Sequence, residues 1–509
     1  MKTGGFFVNQ IEKDFRDYVK KMSNYQEAIG VMAWDLRTGA PKKGVEQRSE
    51  VLGTLSSEVF RMRTSEEMKG FLEQLKQEKN WNELDDVTKG TVIVCEKEYK
   101  KLTNVPVKEY SEFVILTAKA ESVWAEAKEK GDFSSFQPYL EKIVEFNRKY
   151  VEWVGYEGNK YNALLDDYEP GLTVEILDRV FGQLQDEIVP LVKEVTESPN
   201  KPETSFLFHY FSTQNQEELS KDILKSMQYD FDAGRLDRTV HPFAIGLNPG
   251  DVRVTTKYDE NDFRTAVFGT IHEGGHALYE QNIDKKFVGT PLCTGTSMGI
   301  HESQSLFFEN FLGRNKAFWE KHYDLLKKYS NGQFDNVSIE NFYRGINVAG
   351  PSLIRIEADE MTYSLHIILR YELEKALING DLEVKDLPTA WNDKMEQFFG
   401  IRPAHDGEGV LQDVHWSGGS FGYFPSYALG YVYAAQLKNA MDKEIPNYDD
   451  LLREGNLSPI KDWLTEHVHQ YGKSKLPLEI IKEVTGEGVN PDYLIKYLEE
   501  KYRNVYQIS

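Results

Sequence analysis

One stretch of the sequence organises the interpretation of the whole chain: Asn261-Asp-Phe-Arg-Thr-Ala-Val-Phe-Gly-Thr-Ile-His272-Glu-Gly-Gly-His276-Ala-Leu-Tyr-Glu-Gln-Asn282. Its apolar residues recur every three or four positions, which is the spacing of an amphipathic helix. Asn261 and Asp262 offer side-chain acceptors where the first free N–H groups of such a helix would lie. The sequence therefore predicts a helix over residues 261–282.

This helix carries the pentad His272-Glu273-Gly274-Gly275-His276, which has the pattern H-E-x-x-H. Histidines four apart lie on one face of a helix, so both imidazoles can reach a single Zn²⁺. Glu273 points to the same side, where its carboxylate can hold a water molecule and accept a proton from it. The alternative is an ordinary amphipathic helix with two buried histidines. The pattern favours a zinc site in which Glu273 acts as the base.

Three glycines stand inside the predicted helix, at positions 269, 274 and 275. Each interior glycine costs about 0.8–1 kcal/mol relative to alanine. Such a loss of local preference is typical of functional sites. The glycines therefore predict that a backbone or a substrate approaches this helix closely.

A third metal ligand has to come from outside the pentad. The extension that would supply a third histidine needs Gly at 279 and His at 282, and this chain has Tyr279 and Asn282. A glutamate on a second helix is the other source, and Glu302 stands before the next apolar run, 26 residues after His276. Two histidines and one glutamate leave a fourth position for water, as in catalytic zinc sites. The competing carboxylates are Glu280, Asp284 and Glu309.

Composition narrows the class of protein. The chain has 509 residues, 40% hydrophobic and 28% charged, which is typical of a soluble globular protein. Its net charge of −22 disfavours a nucleic-acid partner. The absence of a run of 18 apolar residues disfavours a membrane span, and the start of the chain lacks the apolar core of a signal peptide. Cys95 and Cys293 are expected to be free thiols, so a cytoplasmic location is expected.

Helical periodicity dominates the sequence, and we expect a mainly α, bi-lobed body with a small β-sheet near the site. A helical lobe is predicted over about 1–200 and a zinc-bearing lobe over 201–509, within one domain spanning 1–509. Strands are predicted over 241–247 and 251–258, joined by a turn at Asn248-Pro-Gly250. The other predicted helices are 8–30, 43–78, 85–103, 107–130, 135–155, 173–196, 217–228, 305–330, 338–347, 352–378, 385–400, 424–443, 459–471, 477–484 and 491–503.

A glycine- and tyrosine-rich segment over residues 409–431 offers further polar groups. In a zinc peptidase, Tyr423, Tyr427 or His415 could donate a hydrogen bond to the oxygen on which negative charge develops. The alternative is a loop followed by an aromatic-rich core helix. The sequence does not choose among the three donors.

Two arginines stand in otherwise apolar segments, Arg253 in the predicted strand and Arg355 in a predicted helix. Either could hold the C-terminal carboxylate of a peptide through a bidentate fork. The alternative is an internal ion pair, Arg253 with Asp251 or Arg355 with Asp359. His241 is a further candidate for substrate contact because it precedes the predicted strands, although an isolated histidine is more often structural.

Six motifs stand in order along the chain: His241-Pro242-Phe243, Asp251-Val-Arg253-Val-Thr255, His272-Glu-Gly-Gly-His276, His301-Glu302-Ser303-Gln304, Ile354-Arg355-Ile-Glu-Ala358-Asp359 and Gly409-Val-Leu-Gln412-Asp413-Val-His415-Trp416. They resemble those of the thermostable carboxypeptidase 1 family, also called the carboxypeptidase Taq family of H-E-x-x-H zinc metallocarboxypeptidases. The resemblance covers essentially the full chain.

The resemblance implies a helical fold similar to neurolysin and angiotensin-converting enzyme, with a deep active-site groove. It implies a cytoplasmic homodimer that removes C-terminal residues from peptides with broad specificity and spares proline. It also implies one Zn²⁺ per chain on His272, His276 and Glu302, with Co²⁺ or Mn²⁺ as possible substitutes, and Glu273 as the catalytic glutamate. Two rival interpretations are an oligopeptidase that cleaves internal bonds and a non-catalytic helical scaffold.

A further expectation concerns the two arginines, because Arg253 and Arg355 lie in motifs that the family associates with substrate binding. The resemblance does not show which of the two arginines binds the substrate's carboxylate, nor which of Tyr423, Tyr427 and His415 donates the hydrogen bond.

Overall fold

The computed structural model describes residues 10–508 of the chain. The predicted start of the first helix, at residue 8, lies outside the described residues. Residues 1–9, which belong to the segment expected to lack the apolar core of a signal peptide, also lie outside them. The mainly helical class is confirmed. Between residues 10 and 508 the α-helices are α1 (Gln10–Thr38), α2 (Val45–Arg63), α3 (Glu66–Leu75), α4 (Glu78–Trp81), α5 (Asp86–Asn104), α6 (Val107–Lys130), α7 (Phe133–Val154), α8 (Tyr161–Leu165), α9 (Val174–Glu197), α10 (Thr213–Ser226), α11 (Arg264–Gln281), α12 (Met298–Leu306), α13 (Lys316–Tyr329), α14 (Ile339–Ile346), α15 (Tyr363–Asn379), α16 (Leu387–Phe399), α17 (Pro425–Glu444), α18 (Tyr448–Glu454), α19 (Ser458–His467), α20 (Pro477–Thr485) and α21 (Asp492–Val505).

Two of the longer predicted helices are interrupted, so their prediction as single helices was wrong. The helix predicted over 43–78 is divided into α2, α3 and α4, because the Ser65 side chain accepts from the N–H of Met68 and starts a new helix. The helix predicted over 305–330 begins earlier, at Met298, and passes into a π-helix over Phe307–Gly313. It then ends, and Asn315 caps the start of α13.

The helix predicted over 352–378 begins only at Tyr363, so the prediction was wrong for its first part. Asp359 supplies the physical reason, because its Oδ1 accepts from the N–H groups of Met361 and Thr362 and closes a turn before the helix. Arg355 consequently stands in a single 3₁₀ turn, Arg355–Glu357, and not in an α-helix.

The sheet has three strands, β1 (Leu236–Arg238), β2 (Ala244–Asn248) and β3 (Asp251–Thr256), in the order β1-β3-β2. β2 and β3 are antiparallel, as the turn at Asn248-Pro-Gly250 predicted, and the N–H of Gly250 donates to the Asn248 side chain. β1 was not predicted, since three residues are too few to show alternation. It pairs with β3 in parallel.

The first of two compact units contains the sheet, α10, α11 and α19 together with α1–α5. Its segments are the described residues up to Asn104, Ser212–Thr296 and Asn456–Leu476. α11 packs on β3, where the hydroxyls of Thr256 and Thr270 are 3.1 Å apart. A core between α1, α2, α3 and α5 is formed by buried residues that include Phe15, Val19, Met62, Phe71, Leu75 and Val92.

The second unit contains the remaining helices and has the long helix α17 at its centre, packed against α12, α15, α20 and α21. Its segments are Val105–Phe211, Ser297–Gly455 and the residues from Pro477 onward. Each unit contains segments from before and after residue 200. The division into lobes over 1–200 and 201–509 remains a prediction. Among residues 10–508, no helix combines the length and the apolar character needed to cross a bilayer.

Candidate metal centre and substrate site

The two histidines of the pentad lie together on α11. The ring centroids of His272 and His276 are 5.0 Å apart, one helical turn from each other. Glu273, between them, is 9% exposed. The predicted helix and the predicted shared face of the two imidazoles are therefore present.

Gly274 has the role predicted for the interior glycines. A Cβ at this position would lie 2.8 Å from Leu224 Cδ2 and 2.9 Å from Met227 Cε, so the glycine lets α10 and the residue that follows it pack closely on α11. At Gly269 the nearest contact of a Cβ would be an ordinary 3.8 Å, to Thr256 Oγ1. Close packing of a neighbouring element therefore explains Gly274, but it does not explain Gly269.

Glu302 lies in the second turn of α12, a helix whose start is held by two side chains. Ser297 caps it by accepting from the N–H of Ile300. Glu169, which is buried, accepts from the N–H of Gly299 at 2.8 Å and from the hydroxyl of Tyr433 at 3.1 Å. Both oxygens accept from N–H groups of the first turn that have no partner within the helix, so both contacts favour this position of the first turn.

α17 packs on α12 directly at Glu302. A Cβ on Gly430 would lie 2.6 Å from the Cβ of Glu302 and 2.7 Å from its Cγ. No side chain larger than hydrogen fits there without moving Glu302. The position of this carboxylate is thus set by backbone contact as well as by the start of its own helix.

One ligand atom from each of His272, His276 and Glu302 lies within 4.8 Å of the other two, so these residues form a group that could hold a metal ion. Two imidazoles and a carboxylate fit zinc, and three protein ligands leave a position open. The competing carboxylates have other partners. Glu280 is buried, not on a solvated face, and accepts from the N–H of Gly295. Asp284 accepts from Lys286 N, and Glu309 pairs with Arg314.

Arg355 is buried in a network with residues of the 409–431 segment. Its Nε donates to Asp413 Oδ1 at 2.9 Å, its Nη1 donates to the Tyr363 hydroxyl at 3.2 Å, and its backbone N–H donates to Gln412 Oε1 at 2.9 Å. The alternative pair with Asp359 is not formed, because Asp359 caps the following turn. Arg370 binds the other oxygen of Asp413, Oδ2, at 2.6 Å.

The three predicted hydrogen-bond donors lie together beside Arg355. The ring of Tyr427 is 5.2 Å from that of Tyr423 and 6.3 Å from that of His415, and the Arg355 guanidinium is 5.2 Å from the Tyr427 ring. Burial lowers the pKa of His415 to about 4, although the Asp413 carboxylate opposes this shift. His415 is therefore a neutral donor or acceptor at neutral pH.

Tyr363 belongs to the same cluster and was missed by the sequence analysis. Its ring is 6.2 Å from that of Tyr427. Burial raises the pKa of both phenols, and the negative charge of Glu302 contributes to both shifts. Both hydroxyls therefore stay protonated, as hydrogen-bond donors within electrostatic range of the candidate metal ligand. No motif in the sequence signalled Tyr363, whose environment is created by the turn at Asp359.

Arg253 has partners of its own in the first unit. Its Nε and Nη2 donate to the two oxygens of Asp251 at 2.8 and 2.7 Å, and its guanidinium stacks 4.6 Å from the Trp34 ring. This is the internal pair that the sequence offered as an alternative to substrate binding. His241 is exposed, ahead of β2. Substrate contact by either residue stays a prediction.

A family model described as carboxypeptidase Taq (M32) metallopeptidase matches residues 14–502. The chain belongs to this family. It is 55% identical over 499 residues to carboxypeptidase 1 of Bacillus subtilis, covering 98% of this chain and 99% of that protein. It is 37% identical to thermostable carboxypeptidase 1 of Pyrococcus furiosus, covering 97% and 99%. The protein is accordingly a metallocarboxypeptidase, a hydrolase of peptide bonds, and the predicted resemblance is confirmed.

Solved structures of the carboxypeptidase Taq family have the same fold. An M32 carboxypeptidase from Deinococcus radiodurans matches with a TM-score of 0.95 at 33% identity, over 98% of this chain and 100% of that one. Metallocarboxypeptidase 1 of Trypanosoma cruzi matches with a TM-score of 0.91 at 36% identity, over 97% and 99%. The family membership implies a bound metal ion.

A buried glutamate holds the loop that carries the donor cluster. Glu374 accepts from the indole N–H of Trp416 at 2.7 Å, from the N–H of Gly422 at 2.9 Å and from the hydroxyl of Tyr161 at 2.5 Å. Trp416 follows His415 and Gly422 precedes Tyr423 in the chain, so Glu374 fixes the backbone beside two of the candidate donors.

Glu374→Gln is expected to change the pH dependence of stability. Burial raises the pKa of Glu374 from 4.5 to about 7, against the effect of its three donors. Because the folded state holds this proton more tightly, the contribution is fully present below pH 4.5 and is lost as the pH rises through about 7. Between pH 5 and 8 the metal-free wild type should lose up to about 3 kcal/mol more unfolding free energy than the variant. Urea denaturation at both pH values measures this, and equal losses would contradict it.

Proposed function

We propose that this chain is a zinc-dependent carboxypeptidase that releases C-terminal residues one at a time, with His272, His276 and Glu302 as the metal ligands. The observation that supports this assignment is the approach of three ligand atoms, one from each residue, to within 4.8 Å of one another. Two nitrogen donors and one carboxylate favour zinc, and Co²⁺ or Mn²⁺ could replace it, because the same donors also bind other divalent ions of the first transition row.

The bound ion would act as a Lewis acid, lowering the pKa of a water molecule and polarising the scissile carbonyl. The residues of the chain do the remaining work. Glu273, on the face of α11 that carries the two histidines, accepts a proton from the attacking water and returns it to the leaving amine. Its low exposure excludes most competing solvent.

The donor cluster stabilises the carbonyl oxygen as negative charge develops on it. Tyr423, Tyr427 and neutral His415 are the candidates, and each can donate one hydrogen bond without carrying a charge of its own. Tyr427 is favoured, because its phenol lies within electrostatic range of Glu302 and beside the Arg355 guanidinium.

Arg355 is our choice for the anchor of the substrate's terminal carboxylate. It lies beside Tyr363 and Tyr427, and the negative charge of Glu302 contributes to the raised pKa of both phenols. Arg253 is disfavoured because Asp251 binds the Nε/Nη2 edge of its guanidinium and the Trp34 ring covers a face. An arginine that binds the terminal carboxylate at a fixed distance from the reacting carbonyl restricts cleavage to the last peptide bond.

The remaining family expectations are part of the proposal. We infer broad specificity for the C-terminal residue, little activity on C-terminal proline, a cytoplasmic homodimer, and a single catalytic domain with lobes near 1–200 and 201–509. Each can be measured directly. Peptides that differ only in the last residue test specificity, and sedimentation equilibrium tests the dimer.

A timed digest of one defined decapeptide tests the proposed function. The zinc-loaded protein should release single residues from the C-terminus, seen by mass spectrometry as a ladder of products shortened one residue at a time. Removal of the ion with a chelator should abolish the ladder, and equimolar Zn²⁺ should restore it. Cleavage at internal bonds would indicate an oligopeptidase. Absence of cleavage with one equivalent of bound zinc would indicate a scaffold without activity.

A further inference from the structure

Arg370 of α15 belongs to none of the six motifs, yet it is fully buried and its donors are engaged. Its Nε donates to Asp413 Oδ2 at 2.6 Å, its Nη2 donates to Gln412 Oε1 at 2.8 Å, and its Nη1 donates to the carbonyl of His366 at 2.7 Å. The ring of Trp391 covers its guanidinium at 4.6 Å. No substrate could touch it, so any effect on substrate must act through its partners.

Those partners are the residues that hold Arg355. Gln412 Oε1 accepts from the Arg355 backbone N–H and from Arg370, and Asp413 gives one oxygen to each guanidinium. The side chains of Arg355 and Asp413 are 9% and 10% exposed, and that of Arg370 is 0% exposed. Two buried cations therefore share one carboxylate, which leaves one positive charge in excess.

Among the described residues, Asp413 is the only carboxylate that forms an ion pair with either guanidinium, and Glu374 acts on Arg370 only at longer range. Burial keeps His415 and His366 neutral at pH 7, since it lowers the pKa of both. The phenols of Tyr363 and Tyr427 stay protonated. Glu374 forms its three hydrogen bonds with Trp416, Gly422 and Tyr161 and none with either guanidinium. A buried charge without a counterion is costly, so an anion that reaches this network gains the missing pairing.

We propose that Arg370 is the positioning residue that makes the Arg355 site selective for a free carboxylate. The Arg370 guanidinium balances the negative charge of the Asp413 carboxylate. Asp413 can then orient Arg355 through a hydrogen bond while the positive charge of Arg355 remains available to the substrate's carboxylate. The inference rests on the proposed anchoring role of Arg355. Without Arg370, Asp413 and Arg355 would form a closed neutral pair, and a peptide ending in a carboxylate would lose its advantage over one ending in an amide.

The probes are 3-phenylpropionate, which mimics a C-terminal carboxylate, and the uncharged 3-phenylpropanamide. Their inhibition constants are measured on the zinc-loaded protein, and their dissociation constants are measured by calorimetry on the metal-free protein. Arg370→Gln should weaken binding of the acid about tenfold in both measurements and leave the amide unchanged. For a free-acid peptide the loss should fall on KM more than on kcat. Arg370→Lys, which keeps the charge, should stay within about threefold of wild type.

The double variant Arg370→Gln/Asp413→Asn separates charge from packing. It removes one positive and one negative charge, so the excess returns to Arg355 and acid binding should recover to within about threefold of wild type. A purely structural role for Arg370 would leave the double variant as weak as the single one or weaker, which would overturn the proposal. Lys375→Gln, on the same helix, loses the same charge near the surface and serves as the matched control, with no change expected.

The remaining outcomes distinguish this inference from the proposed anchor. If Arg370→Gln binds the acid as tightly as wild type while Arg355→Met does not, the anchor stands and the role of Arg370 is overturned. If wild type itself does not prefer the acid, or Arg355→Met keeps the preference, the anchor at Arg355 fails and this inference fails with it.

Discussion

Glu273→Gln is expected to lower kcat/KM for a peptide substrate by roughly 10²–10⁴-fold, the usual contribution of a general base. Glutamine has the size of glutamate and can still orient a water molecule, but it cannot accept the proton. The metal should remain, since the candidate ligands are His272, His276 and Glu302. Steady-state kinetics on a free-acid peptide, with zinc measured by elemental analysis on the same sample, gives both values.

One control variant makes this result specific. Glu66→Gln, on the exposed face of α3 in the same unit, makes the same chemical change and should leave kcat/KM unaltered. A Glu273→Gln protein that retains wild-type turnover would remove Glu273 from the mechanism. A protein that loses zinc together with activity would instead make Glu273 a ligand or a support of the metal site.

Gly430→Ala is expected to weaken metal binding by roughly 10–100-fold, the range found when residues that support metal ligands are changed. The added Cβ would lie 2.6 Å from the Cβ of Glu302 and 3.1 Å from its backbone carbonyl carbon, so α12 or α17 must move. Only three protein ligands are proposed, and a shift of one of them changes the geometry of the site. Competition with a zinc indicator measures the dissociation constant.

The control for this substitution is Gly182→Ala on α9. Gly182 also lies inside a long helix of the second unit, but a Cβ there would have no atom within 4 Å. It should leave zinc affinity unchanged and raise stability by up to about 1 kcal/mol, because alanine is favoured over glycine inside helices. Unchanged zinc affinity in Gly430→Ala would show that Glu302 is free to move or is not a ligand.

Local sequence patterns predicted helices correctly where the residues that begin and end a helix agree with the helical periodicity. α6 was predicted over 107–130 and forms Val107–Lys130, between Pro106 and the left-handed Gly131, whose φ is +64°. The turn at Asn248-Pro-Gly250 and its two strands were likewise predicted. In each case the residues that determine the structure are close neighbours in the sequence.

Predictions failed at a turn that replaces the first part of a predicted helix and at a short strand. The helix expected from residue 352 begins at Tyr363, because Asp359 accepts hydrogen bonds from the backbone N–H groups of Met361 and Thr362. β1 has three residues, and its pairing with β3 is parallel across some 18 positions of sequence. The pairing of β1 with β3 joins residues that are far apart in the sequence, so no local pattern predicts it, whereas the turn at Asp359 is local and was missed because a helix was predicted across it.

Arg370 illustrates the same limit at the candidate site. The sequence analysis did not single out Arg370, which stands between Leu369 and Tyr371, and a buried charge there needs a partner that the sequence does not name. That the partner is Asp413, shared with Arg355, depends on the packing of α15 against the 409–431 segment. The network of two arginines and one carboxylate is therefore a product of the tertiary structure.

The sequence by itself determined the class of chemistry and the family, since the spacing of His272, Glu273 and His276 on one helix follows from helical geometry alone. Only the tertiary structure decided which carboxylate approaches the histidines. Glu280 stands four residues from His276, yet its carboxylate accepts a hydrogen bond from the N–H of Gly295. The carboxylate of Glu302, in contrast, offers a ligand atom close to those of the two histidines. The physical reason is that helical periodicity acts over a few residues, while the position of a second helix depends on steric contacts such as that of Gly430 with Glu302.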